Sequence, residues 1–192
     1  MMTSLPQPVE IKTDRLLLRQ WTEQDFPLFA KICADPVVME FFPKVYSQEE
    51  SDAFASKTIS LIEKKSWGFW AVELIEENKF IGFVGLNESG YLVPVSPCIE
   101  IGWRLDKDYW GKGYATEAAR ASLQFAFEVL QVNEVYSFTS IFNKRSWLMM
   151  LRLGMQNTGD NFDHPMVPQG HVLKEHVLYK ISMTGWNILS SK

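Results

Sequence analysis

What the chain lacks narrows its function before anything else does. It has two cysteines, Cys33 and Cys98, in 192 residues. Their spacing fits no metal motif and two thiols make no disulfide framework, so both read as reduced and buried. No apolar run is long enough to span a bilayer. The first ten residues show no basic segment leading into an apolar one, so no signal peptide is expected and the cytoplasm is the expected location. An excess of basic residues is missing too: the formal net charge is -4, which leaves no electrostatic footprint for nucleic acid. The only histidines, His164, His171 and His176, are spaced irregularly, and no metal is expected from them. A Walker loop is absent, because no Lys-Ser or Lys-Thr closes a G-x-x-x-x-G. The dinucleotide fingerprint also fails, with Thr116 standing where its third glycine would be.

What is present reads as a globular α/β domain. Hydrophobic residues make up 46% and charged residues 22%, ordinary for a packed core. No internal repeat or linker divides the chain, so residues 1–192 are expected to form one domain, with 1–10 as a loose lead-in. Arg15 to Arg19 reads as a first strand. A short helix follows to Ala34, before Pro36, and Ser47-Gln48-Glu49-Glu50 opens a second helix with the pattern of a capping box, running to Lys65. Strands are expected over Phe69–Leu74, Phe80–Leu86 and Cys98–Leu105. The last alternates, with Ile99, Ile101, Trp103 and Leu105 on one face and Glu100, Gly102 and Arg104 on the other. From Ala115 to Leu130 the apolar spacing becomes helical. A strand over Val135–Ile141, a helix from Lys144 to Leu153 stopped by Gly154, and a strand over His176–Ser182 complete the order. The class is therefore α/β: a mixed, mostly antiparallel sheet with flanking helices.

The chemistry concentrates in Trp110-Gly111-Lys112-Gly113-Tyr114-Ala115-Thr116-Glu117-Ala118. Two glycines one residue apart, where a strand gives way to an amphipathic helix, let backbone N–H groups approach an anion at the positive end of the helix dipole. A tight turn would use the same residues. The company of this loop decides between them. Arg15-Leu16-Leu17-Leu18-Arg19, Ile99-Glu100-Ile101-Gly102-Trp103, the loop itself, Asn143 and Ser146 ahead of Leu153-Gly154-Met155, and His176-Val177-Leu178-Tyr179 occur in that order. Together they resemble the GNAT superfamily of N-acetyltransferases, most closely the branch of the ribosomal-protein N-terminal acetyltransferases. The family loop pattern Q/R-x-x-G-x-G/A falls on Asp108 to Gly113, with Asp108 departing from its first position.

The resemblance implies a GNAT-type fold, acetyl-CoA as co-substrate and no metal. It implies CoA contacts at Ile101, Trp103, Leu105, Gly111, Lys112, Gly113, Tyr114, Ala115, Thr116, Asn143 and Ser146, with the acetyl carbonyl near Ile101 and Gly102. Attack by an amine needs a base and a donor for the thiolate. Glu100 is the candidate base, its alternative being a solvent-facing strand glutamate. Ser146 is the candidate donor, its alternative being a first-turn residue after an Asn143 cap. Trp70, Asp163 and His164 are candidate acceptor contacts, the last two on a long segment between Asn157 and Lys174. The expected partners are a small amine or a peptide N-terminus, with a homodimer left open, and no nucleic acid or membrane. The rival reading is a non-catalytic acyl-CoA-binding or regulatory module on the same fold.

Overall fold

A computed structural model describes residues 8–90 and 93–190, and so only the last three residues of the expected lead-in. The strands are β1 (Ile11–Lys12), β2 (Leu16–Arg19), β3 (Phe69–Leu74), β4 (Lys79–Ser89), β5 (Cys98–Leu105), β6 (Glu134–Ser140), β7 (Gln156–Asn157), β8 (Phe162–Asp163) and β9 (Glu175–Ser182). The helices are α1 (Asp25–Ala34), α2 (Gln48–Lys65), α3 (Tyr114–Gln124), α4 (Lys144–Arg152) and α5 (Met183–Ser190). Two compact units share the chain. One comprises residues 8–40, Lys44–Leu86 and Gly102–Ser122; the other comprises Phe41–Pro43, Asn87–Ile101 and 123–190.

In the first unit β1, β2, β3 and β4 pair antiparallel in that order. Leu16, Leu18, Trp70, Val72 and Ile81 are fully buried. Helix α2 starts where expected: Ser47 accepts from the Glu50 N–H and Glu50 returns the bond to the Ser47 N–H at 2.9 Å. Rings from Trp21, Phe29, Phe54, Phe69, Phe80 and Phe83 pack edge and face at centroid distances of 5.0–6.4 Å. Arg104 is unexpected among them. Its guanidinium is only 6% exposed, lies over the rings of Phe29, Tyr46, Phe54 and Phe83, and donates to the Cys33 sulfur at 3.1 Å. Aromatic faces make such burial tolerable for a weakly hydrated cation.

In the second unit β5 pairs parallel with β6, Glu100 opposite Tyr136, and β6 pairs antiparallel with β9 over its whole length. Asn143 caps α4, and Gly154, at φ 81°, follows its end. Four features depart from the sequence reading. The helix expected to reach Leu130 changes at Phe125–Val129 to a π-helical turn, closed by Leu130 N–H to the Phe125 carbonyl at 3.1 Å. The consecutive Phe125, Ala126 and Phe127 of this turn are all buried. The segment between Asn157 and Lys174 is not structureless, since β7 and β8 both pair with β9. Helix α5, unexpected after Ser182, is held by Ser182 Oγ accepting from the Gly185 N–H and by Trp186 stacking on Phe127. Cys98 is half-buried rather than buried.

Gly82 ties β4 to the strand that carries Arg104. Its φ is +129°, and a Cβ there would lie 2.2 Å from the Arg104 carbonyl oxygen. A Gly82→Ala variant therefore meets both strain and backbone overlap, and we expect a loss of about 3 kcal/mol or more in urea unfolding. Gly90→Ala, where a Cβ meets nothing within 4 Å, should change the midpoint little.

Candidate active site

The glycine loop lies in the first unit. After β5 the chain makes a 3-10 turn over Lys107–Tyr109, in which the Asp106 carboxylate accepts from the Asp108 N–H at 3.0 Å. Asp108, the residue that departs from the family pattern, is exposed. Gly111 and Gly113 follow at φ +75° and +85°, the left-handed region that other residues enter at a cost. Helix α3 begins at once, and its first turn carries backbone N–H groups that the helix itself leaves without acceptors. Left-handed glycines on either side of Lys112, followed by an open helix start, are the backbone arrangement from which anion-binding concavities can be built.

That loop is braced from β2. Arg15 donates through Nη1 to the Lys112 carbonyl at 3.0 Å and through Nε to Glu117 at 2.6 Å. Glu117 also accepts from the Thr13 hydroxyl at 2.6 Å and the Arg15 N–H at 3.0 Å. Burial pushes the Glu117 carboxyl up, but the bonds from Thr13 and Arg15 outweigh it and hold the group below its ordinary range. The Arg15 guanidinium also covers the Tyr114 ring at 4.5 Å, and the Lys112 ammonium lies 5.0 Å from the Tyr109 ring centre. None of this brace was read from the sequence. Arg15 and Glu117 are 102 positions apart, and no spacing rule links them.

Trp103, Leu105, Ala115 and Thr116 belong to the same unit. Leu105 is buried, while Trp103, Ala115 and Thr116 are half-buried. Trp70 is fully buried, its indole N–H donating to the Val9 carbonyl at 2.7 Å, so it belongs to the core of this unit.

The remaining candidates lie in the second unit. Glu100 is half-buried, and the Asn87 amide donates to its Oε1 at 2.9 Å. Burial pushes its carboxyl above the ordinary range, and the hydrogen bonds from Asn87 and Ser89 only partly reverse this. Its side chain is thus half-buried and hydrogen-bonded rather than fully open to solvent. Beside it, Ile101 is buried and its carbonyl accepts from the Ser137 hydroxyl at 2.9 Å. Tyr136, opposite Glu100, donates to Glu134 at 2.5 Å; burial and that carboxylate push the phenol up to about 12. Cys98, Ile99, Glu134 and Tyr136 border a cleft of about 380 Å³.

Asn143 does serve as the α4 cap, its Oδ1 accepting from the Ser146 N–H at 3.1 Å while its amide donates to Thr139 at 2.9 Å. The Ser146 backbone is thus fixed, and the residue is half-buried. Asp163 and His164 separate. Asp163 pairs with Glu175 and is exposed, whereas His164 turns into a ring cluster with Phe138, Phe162 and His176. Asn87, Tyr136 and His176 were missed, because only strand pairing brings them beside the candidates.

Comparison with known proteins agrees with this geometry. The model of a family described as an acetyltransferase (GNAT) domain matches residues 15–156. The uncharacterized N-acetyltransferase YnaD of Bacillus subtilis (strain 168) is 28% identical over 180 residues, covering 93% of this chain and 100% of that protein. The FsC-acetyl coenzyme A-N(2)-transacetylase of Aspergillus fumigatus is 32% identical over 87 residues, 45% of this chain and 37% of that one. The solved acetyltransferase (GNAT family) of Bacillus anthracis is 26% identical, with a TM-score of 0.77 over 92% of this chain and 99% of that one. A family match across the glycine loop, its Arg15–Glu117 brace and the Asn143 cap places the chain in the GNAT family, as an N-acetyltransferase.

Proposed function

We propose that the protein transfers an acetyl group from acetyl-CoA to a primary amine, on a small molecule or a peptide N-terminus, by direct attack on the thioester. The observation that carries this reading is the pair of left-handed glycines, Gly111 and Gly113, at the start of α3, braced by Arg15 and Glu117. The pyrophosphate of CoA is the anion that such a loop suits, with Lys112, Tyr114, Ala115 and Thr116 as its neighbours. The printed name of the Aspergillus relative, an acetyl coenzyme A transacetylase, supports the same co-substrate.

In this reading the amine nitrogen bonds to the thioester carbonyl carbon and the carbon–sulfur bond breaks. Glu100 takes the proton that the amine must lose, directly or through water. A carboxyl raised by burial is the stronger base, closer to the pKa that proton transfer at neutral pH favours. The CoA thiolate needs a proton in return, and the Ser146 hydroxyl, on a capped helix start, is the candidate donor. Ile101, Trp103, Leu105 and Asn143 are proposed contacts of the CoA arm.

Two measurements test the reading. Saturating acetyl-CoA should raise the melting temperature, by the equivalent of about 2.7 kcal/mol at a hundredfold excess over Kd, whereas ATP and NAD should not. Gly113→Val, forced into φ +85°, should lose most of that gain. An equal gain from ATP would overturn the co-substrate assignment. Thiol release with amine acceptors should fall roughly ten- to a thousandfold in Glu100→Gln and in Ser146→Ala. The sign of the pH effect follows from the raised carboxyl. The base is active when ionised, so kcat/KM should fall as pH drops through a value above the ordinary glutamate range, and that limb should vanish in Glu100→Gln. Acetyl-CoA binding without thiol release from any amine would instead favour a non-catalytic acyl-CoA-binding module.

A further inference from the structure

In the second unit, β9 sets His176 between Ser140 of β6 and Phe162 of β8. Cross-strand partners share a face, as do residues two apart, so Phe138, Ser140, Phe162 and His176 point the same way. His164, one residue past β8, brings its ring centre to 4.8 Å from that of His176, and both phenyl rings lie within 6.4 Å of the imidazoles.

The backbone fixes opposite tautomers on the two rings. A carbonyl can only accept, so Nδ1 of His176, 3.0 Å from the Lys174 carbonyl, carries that ring's proton and Nε2 keeps a bare lone pair. An amide N–H can only donate, so Nδ1 of His164, which accepts from the Met166 N–H at 3.2 Å, is bare and the proton sits on Nε2. Burial, then the neighbouring charges of His176 and Lys174, push His164 down to about 4; burial lowers His176 as well. Both rings are therefore neutral at pH 7. Lys174 is turned to the carbonyls of His164 and Val167, at 3.3 and 2.8 Å. Among the described residues nothing bonds Nε2 of either imidazole. One uncharged donor and one uncharged acceptor thus stand side by side, flanked by phenyl rings.

We propose that this imidazole pair binds an amide carried by the acceptor, whose carbonyl oxygen takes the His164 Nε2–H and whose N–H donates to His176 Nε2. The proposal rests on the acetyl-transfer reading for the presence of an acceptor at all. A carboxylate brings no donor and would face the bare lone pair of His176. An ammonium brings no acceptor and would face the His164 N–H. Only a group offering both satisfies both rings, and leaving either one unmatched is what makes a polar site selective.

The test compares four acceptors with one carbon skeleton: alaninamide, alanine, alaninol and 1,2-diaminopropane. Alaninamide should lead in kcat/KM by about tenfold or more, the worth of an unmatched hydrogen bond. His164→Phe and His176→Phe keep ring volume in an aromatic cluster, and each should abolish that lead while the acetyl-CoA melting shift persists. Alanine or the diamine in front, alaninol equal to alaninamide, or a lead that survives both substitutions would overturn the proposal. Should no amine release thiol, the acetyl-transfer reading fails by itself, and ring-nitrogen NMR still decides the site. The His164 Nε2–H and His176 Nδ1–H tautomers should be seen, and both Nε2 resonances should move on titration with alaninamide. Other tautomers, or unmoved resonances, would refute it.

Discussion

The glycine loop depends on one ionic contact between distant parts of the chain. Gly111 and Gly113 supply a backbone able to turn its N–H groups outward, but glycine is also the residue with the most conformational freedom to lose. Arg15 removes that freedom by holding the Lys112 carbonyl between the two glycines, while Glu117 anchors the guanidinium one helical turn later. The strand that supplies Arg15 is the one whose Leu16 and Leu18 are fully buried, so the brace stands on the core of its unit. The anion binding proposed for this loop would need positioned donors, and a partly exposed salt bridge matters here through geometry rather than through its own modest energy.

The second unit uses burial differently. Cys98 and Glu100 lie two residues apart on one face of β5, and desolvation raises the pKa of each. For the carboxyl this means a stronger base, held in place by Asn87. The imidazoles of His164 and His176 are shifted the other way by the same cause, because burial always favours the uncharged form. The proposed acceptor chemistry would thus take place beside a carboxyl of raised pKa and two neutral histidines, without an excess of fixed charge.

Local patterns were readable from residues alone. The capping box at Ser47, the bounds of Cys98–Leu105, the Asn143 cap and the stop at Gly154 each rest on chemistry within a few residues, and each is present. The GNAT resemblance likewise came from short motifs in order. What could not be read depends on contacts between separated segments. Arg104 shares a strand face with Glu100 in the sequence pattern, yet rings contributed by α1, α2 and β4 bury it. The π-helical turn over Phe125–Val129 interrupts a period that, read from spacing alone, runs on as α-helix to Leu130. Asp163 and His164 are neighbours in sequence, but the two-residue period of a strand separated them once β8 paired with β9.

The thiols have a practical bearing. Burial pushes Cys33 up from its ordinary value, and burial together with the Glu100 charge pushes Cys98 up to about 11. Near neutral pH both stay protonated, and it is the thiolate that reacts with disulfide reagents and alkylators. Thiol colorimetry on the folded enzyme should therefore have a quiet baseline, so that the coenzyme release proposed above can be tested continuously without first replacing either residue.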